Sequence, residues 1–200
     1  MQPYKQSNEY TGGAALLLTA LNHFDSKVAL TKENEYEIWQ KTVALPVRAS
    51  DIYGLALVAH EHRRRVKIIV GNIQYTYPNY RFQGYKLSEI EEATFISNLF
   101  YKKLQRYGVP IVKKDFTLDY IKDLLKSDKI LILRLNGGVL RNTKASSNFF
   151  LVIKYGDRKF LLIDPQDGEK KLVYEEKMQE AFETVKTKCH RDNRMLIFEG

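Results

Sequence analysis

Four apolar runs after Lys129, "KILILRL", "FFLVIKY", "KFLLID" and "RMLIFE", constrain the fold of this chain more than any other feature. They are short and rich in Ile, Leu and Phe. Gly156-Asp157 and Asp167-Gly168 supply turns between or after them, so the runs predict a mostly antiparallel sheet. The first half of the chain has a different period. Apolar positions continue from Ala14 to Leu21 at the start of one helix, and Thr31 is placed to cap a second, "KENEYEIWQKTV", whose Glu33 and Glu35 suit the positive end of the helix dipole. Ser50 is expected to cap a third, "DIYGLALVAHEHRRR", with Ile52, Leu55, Ala56 and Ala59 on one face. "VKIIV", residues 66–70, reads as a strand. Residues 71–86 read as a long loop or an irregular strand pair, broken by Pro78 and Gly84, whose tyrosines either line a binding surface or, more commonly, pack over a core with their hydroxyls in water. Ser88 with Glu91 predicts a capping box for "EIEEATFISNLFYKKLQRY", stopped by Gly108. Thr117 opens "LDYIKDLLKSD", and a last helix covers about residues 174–187. Helices first and a sheet second imply an α+β architecture, one domain over residues 1–200, with a cleft between the two parts.

Composition narrows the function classes. There are 32 Lys plus Arg against 24 Asp plus Glu, a formal charge of +8, so the surface is biased toward polyanions. Arg63, Arg64, Arg65 and Lys67 form one basic run, and Lys102, Lys103, Arg106, Lys113 and Lys114 another. Such runs are usually solvated faces. If the two shared one face, they would track a phosphate backbone with salt-sensitive affinity. The single cysteine, Cys189, excludes an internal disulfide and fits a reducing compartment, so a cytoplasmic location is expected. The stretch from Ala14 to Leu21 is short and lacks a signal-peptidase pattern, and no run approaches the roughly 20 apolar residues of a membrane span. No membrane association is therefore expected. Abundant Lys, Glu, Ile and Tyr with few Cys and Met hint at a thermophilic source.

Two segments carry a more specific pattern. "QSNEYTGGAAL" sets Gln6 ahead of Gly12 and Gly13 at a helix start. "NFFLVIKYGDRKFLLIDPQDG" runs from Asn148 through a Gly-Asp turn to Asp164-Pro165. With "YEIWQKTV", "LQRYGVPIV" and "LDYIKDLLKSDKILILRL" in order between them, nearly the whole chain resembles papain-like cysteine peptidases of the bacteriocin-leader-processing type, family C-39, and their stand-alone relatives. The resemblance implies a papain-like fold. By position it aligns Gln6 with the oxyanion-stabilising glutamine, Gly12 with the nucleophilic cysteine, Asn148 with the general-base histidine, and Asp164 with the carboxylate that orients that histidine. Both reacting groups are thereby absent. Glycine has no nucleophile, and asparagine cannot serve as a base near neutral pH.

Other residues offer less. Thr11, Ser146 and Ser147 adjoin the two substituted positions without an evident base. Cys189 and His190 are expected on a strand, with side chains on opposite faces, as a structural thiol and a surface histidine. His60 and His62 diverge on a helix, and Gly137-Gly138 reads as a turn rather than a phosphate loop, so no metal or cofactor is expected. The expected function is that of a pseudopeptidase holding a peptide or protein segment in the former substrate cleft. The alternatives are a nucleic-acid or ribonucleoprotein accessory protein, and a cysteine-peptidase-like hydrolase with another nucleophile.

Overall fold

The computed structural model describes residues 1–74 and 85–199. Most of the segment read as a long loop, residues 75–84, lies outside the described residues. The elements are α1 (Gly12–Phe24), α2 (Lys32–Thr42), β1 (Val43–Ala44), β2 (Val47–Ser50), α3 (Ile52–Glu61), β3 (Val66–Val70), α4 (Leu87–Arg106), β4 (Ile111–Lys113) and α5 (Leu118–Lys126) in the first part. They continue with β5 (Ile130–Asn136), α6 (Gly137–Arg141), β6 (Ser147–Gly156), β7 (Lys159–Asp164), β8 (Glu169–Tyr174), α7 (Glu175–Thr187) and β9 (Arg194–Phe198). The architecture is α+β.

Strands β1 and β2 form a small ribbon, and the other seven form one sheet in the order β4-β3-β9-β5-β6-β7-β8. Among the described residues only the β3/β4 pair is parallel. The sheet is therefore not confined to the C-terminal half, as the order of periodicities suggested: β3 and β4 extend it from the first half. Nor do helices lie on one side of it. Ile130, Ile132, Leu196 and Phe198 pack with α1 and α3, whereas Leu131, Leu133, Met195 and Ile197 pack with α5 and α7. Strand side chains alternate between faces, so both faces of the central strands must be apolar, and they are. Each fully buried Leu or Ile contributes roughly 1.5–3 kcal/mol, which makes these two layers the main adhesive of the fold.

Local signals place most helix starts. Thr31 Oγ1 accepts the Asn34 N–H at 3.3 Å, and Thr117 Oγ1 accepts the Tyr120 N–H at 3.3 Å. Three expectations need correction. Asp51, not Ser50, caps α3, its carboxylate accepting the Tyr53 N–H at 2.7 Å; Ser50 instead accepts the Thr42 hydroxyl at 2.9 Å. A carboxylate suits the positive helix end better than a hydroxyl. Helix α4 starts before Ser88, with Glu89 reaching back to the Lys86 N–H, so Glu89 rather than Glu91 supplies the returning carboxylate. Gly137 and Gly138 begin the short α6, capped by Asn136 Oδ1 on the Gly138 N–H at 3.1 Å, and are not a turn.

Candidate functional site

The paired glycines bring the start of α1 against two other segments. A Cβ on Gly13 would lie 2.8 Å from Ser50 Cβ, so the missing side chain lets α1 seat on β2. A Cβ on Gly12 would lie 2.7 Å from Gln6 Oε1 and 3.3 Å from Pro165 Cγ. Gln6 is anchored in turn, its N–H donating to Pro165 O at 2.8 Å. The segment around Gln6, the first turn of α1 and the end of β7 therefore meet at Gly12. Thr11 is fully buried and committed to Asn8, donating to Asn8 O at 3.0 Å and accepting the Asn8 N–H at 3.1 Å. It offers no hydroxyl to a substrate.

Asn148 and Asp164 are joined by a residue the sequence did not mark. Arg141, at the end of α6, donates from Nε to Asp164 Oδ2 at 2.8 Å and from Nη2 to Asp164 Oδ1 at 2.6 Å, while its Nη1 donates to Asn148 Oδ1 at 3.1 Å. Ser146 Oγ also donates to Asn148 Oδ1, at 2.9 Å. Lys171 adds a second cation to Asp164 at 3.1 Å, and the Gln166 N–H binds Oδ1 at 3.1 Å. Burial alone would push the Asp164 carboxyl up. The hydrogen bonds from Arg141, Gln166 N–H and Lys171 outweigh it and hold the group below the usual carboxylate range. Arg141 escaped the sequence reading because its only local signal, a cation after "NGGVL", looks like an ordinary helix end.

Gln6, Gly12, Arg141 and Asn148 line one recess of about 910 Å³, with Pro165 beside Gly12; Asp164 lies behind, almost wholly buried. Cys189 and His190 line the same recess. This corrects their expected placement on a strand: they lie in the irregular link between α7 and β9, where the alternation of strand side chains does not apply. Burial pushes the Cys189 thiol up, against the opposing pull of Arg191 and Arg134. The thiolate needed for nucleophilic attack is thus disfavoured.

The basic runs lie elsewhere. His60 at the end of α3 stacks on Tyr107 after α4, ring centroids 5.2 Å apart, which sets Arg63, Arg64 and Arg65 beside the helix end bearing Lys102, Lys103 and Arg106. Arg64 is partly spent, its guanidinium 5.7 Å from the Phe24 ring centroid and its Nε on His62 O at 3.1 Å. Lys67 does not join them. On β3 it is in phase with Ile69, which packs with α5, and out of phase with Ile68, which packs with α3.

The chain matches the family described as "Peptidase_C39 like family" over residues 1–191, and it belongs to that family. No curated protein matches it. Among the described residues no helix is long and apolar enough to cross a membrane.

Proposed function

We propose that this member of the Peptidase_C39-like family is a papain-like pseudopeptidase that holds an extended peptide or protein segment in the recess and does not cleave it. The observation that carries the reading is a strand edge left open among the described residues. Ser147, Asn148 and Phe149 pair with β5 on one side, but pairing of β6 with β7 begins only at Leu151. All three residues line the recess, and Val47, Ala49 and Ser50 of β2 line it too. An added strand would find main-chain donors and acceptors on that edge, the usual source of affinity in strand addition. Gly12 supplies no nucleophile, Asn148 no base, and Arg141 already occupies the carboxylate that would orient an imidazole.

A pool of short extended peptides tests the reading by amide hydrogen exchange. Binding is expected to slow exchange at residues 147–149. Gly12→Phe, which projects a ring into the recess, is expected to abolish that protection while thermal unfolding shows a folded protein. Peptides recovered by mass spectrometry should be intact. Cleavage products, or protection confined to other segments, would overturn the proposal.

One observation favours a second reading, a hydrolase using Cys189: that thiol and His190 share the recess with Gln6. The raised thiol pKa ranks it lower. A nucleic-acid accessory role would instead use the surface around Arg63, Arg65 and Arg106.

A further inference from the structure

The charge on the recess points to the kind of chain it takes. The carboxylates behind its lining are already engaged: the buried Asp164 with Arg141 and Lys171, and the partly buried Asp192 with Arg134 at 3.0 Å and Arg194 at 2.8 Å. Each holds two cations. Asp51 is buried at the α3 N-terminus and bound by the Ser97 hydroxyl at 2.9 Å. Toward solvent, the lining adds the exposed Lys144 and Lys188, against the single exposed carboxylate of Glu9. The nearest acid to Lys188 is Glu180, at 3.7 Å on the exposed surface of α7, where water and salt weaken the pair.

We infer that the recess selects acidic peptide segments, with Lys144 and Lys188 reading the carboxylates of an added strand. The inference rests on the extended-chain reading above. Main-chain pairing along Ser147–Phe149 is indifferent to side-chain charge, so discrimination must come from the rim. A rim with more lysines than carboxylates attracts Asp and Glu side chains and repels Lys and Arg. A peptide fits better than a nucleic acid because the lining offers strand edges rather than bare aromatic faces. Of the aromatic rings in the lining, Tyr10 is covered by the Arg48 guanidinium, 5.3 Å from its centroid, and by the Trp39 ring at 5.2 Å, and Phe149 is covered by the Arg134 guanidinium at 5.3 Å.

Fluorescein-labelled peptides alternating Val with Glu, Val with Gln, or Val with Lys test this by anisotropy at low and physiological salt. The Glu peptide is expected to bind wild type roughly tenfold more tightly than the Gln peptide, with the Lys peptide weakest. The double variant Lys144→Glu, Lys188→Glu changes two exposed side chains and is expected to invert that order. Equal binding of the Glu and Gln peptides would overturn the acidic preference while leaving the extended-chain reading standing. If no peptide binds, both fail. Displacement of the Glu peptide by an RNA oligomer that binds wild type more tightly, and loses binding in the double variant, would also overturn the inference by making the rim a nucleic-acid site.

Discussion

Arg141 grips Asp164 with two nitrogens, at 2.6 and 2.8 Å, and uses its third to hold Asn148. Asn148 and Asp164, which the resemblance alone sets at the positions of an imidazole and its carboxylate, are thus tied together by a guanidinium. The wall of the recess depends on that tie. Arg141→Ala leaves Asp164 buried with Lys171 as its remaining cation, which should cost roughly 2–4 kcal/mol in urea unfolding, somewhat less than stripping a buried carboxylate of all partners. Arg141→Lys should recover only part of this, because one ammonium cannot reproduce a planar two-pronged contact. Wild-type stability in the alanine variant would show that the pair contributes nothing to the fold.

The same carboxylate gives a pH dependence. Its folded-state pKa lies below the ordinary value of about 3.9, so its contribution is fully present above the unfolded pKa and is lost as pH falls through the folded one. Asp192, held by Arg194 and Arg134 against its burial, behaves in the same sense. Asp164→Asn should therefore be destabilising at neutral pH, and the difference from wild type should shrink as pH falls below about 4. A difference independent of pH in denaturation curves would mean that packing, not charge, makes the contribution.

Cys189 should behave as a partly buried, slow thiol. Burial raises its pKa, so iodoacetamide should alkylate it slowly at neutral pH and faster as pH rises above the ordinary thiol value of about 8.5. Cys189→Ser should change no hydrolytic turnover, because none is expected. Fast alkylation at neutral pH, or peptide cleavage that vanishes in the serine variant, would favour the hydrolase reading.

How far the sequence carried the fold depended on whether a signal was local. Thr31 and Thr117 announce their helices because a cap acts within four residues. The runs at 130–136 and 194–198 announce strands because their composition is β-like throughout. What escaped was set at long range. Strand β8, "EKKLVY", sits at a sheet edge with Leu172 and Tyr174 exposed, so it carries no apolar stripe to betray it. Burial of the sheet on both faces was hidden because alternation cannot be seen when every position is apolar. At the candidate site, Gln6, Gly12, Asn148 and Asp164 were picked out by motif order. Arg141 was not, since only folding brings α6 beside the end of β7. Cys189 and His190 were misplaced by one wrong premise, that their segment is a strand.

The basic surface should bind RNA or DNA weakly and without sequence preference. Arg63, Arg65, Lys102, Lys103 and Arg106 are exposed on the segments joined by the His60–Tyr107 stack, whereas Arg64 is engaged with Phe24 and Lys67 lies on the other face. Log affinity should fall linearly with log salt, and Arg65→Glu with Arg106→Glu should flatten the slope by about two phosphate contacts. Lys67→Glu should leave it nearly unchanged. Sequence preference that persists at high salt would indicate a dedicated nucleic-acid reader.

The most demanding prediction concerns rebuilding a reactive pair in a Cys189→Ser background. Gly12→Cys puts a sulfur where a Cβ already approaches Gln6 Oε1 to 2.7 Å, and the flexible end of Gln6 can yield. Asn148→His puts an imidazole where the side chain now accepts from Arg141. The guanidinium would remain on Asp164, oppose protonation of the imidazole by its own charge, and deny the ring its orienting carboxylate. The double variant should therefore keep a thiol pKa near the ordinary value of about 8.5. Adding Arg141→Leu frees Asp164 for the imidazole and removes the competing cation. In that variant the thiol pKa should fall by a unit or more, as expected for a thiolate paired with an imidazolium. Alkylation rate against pH distinguishes the cases, with circular dichroism confirming that each variant is folded. A depressed pKa already present in the double variant would mean that Arg141 does not block the pair. An ordinary pKa that survives removal of Arg141, in a folded protein, would mean that positions 12 and 148 do not face each other and that the assignment of vestigial catalytic positions is mistaken.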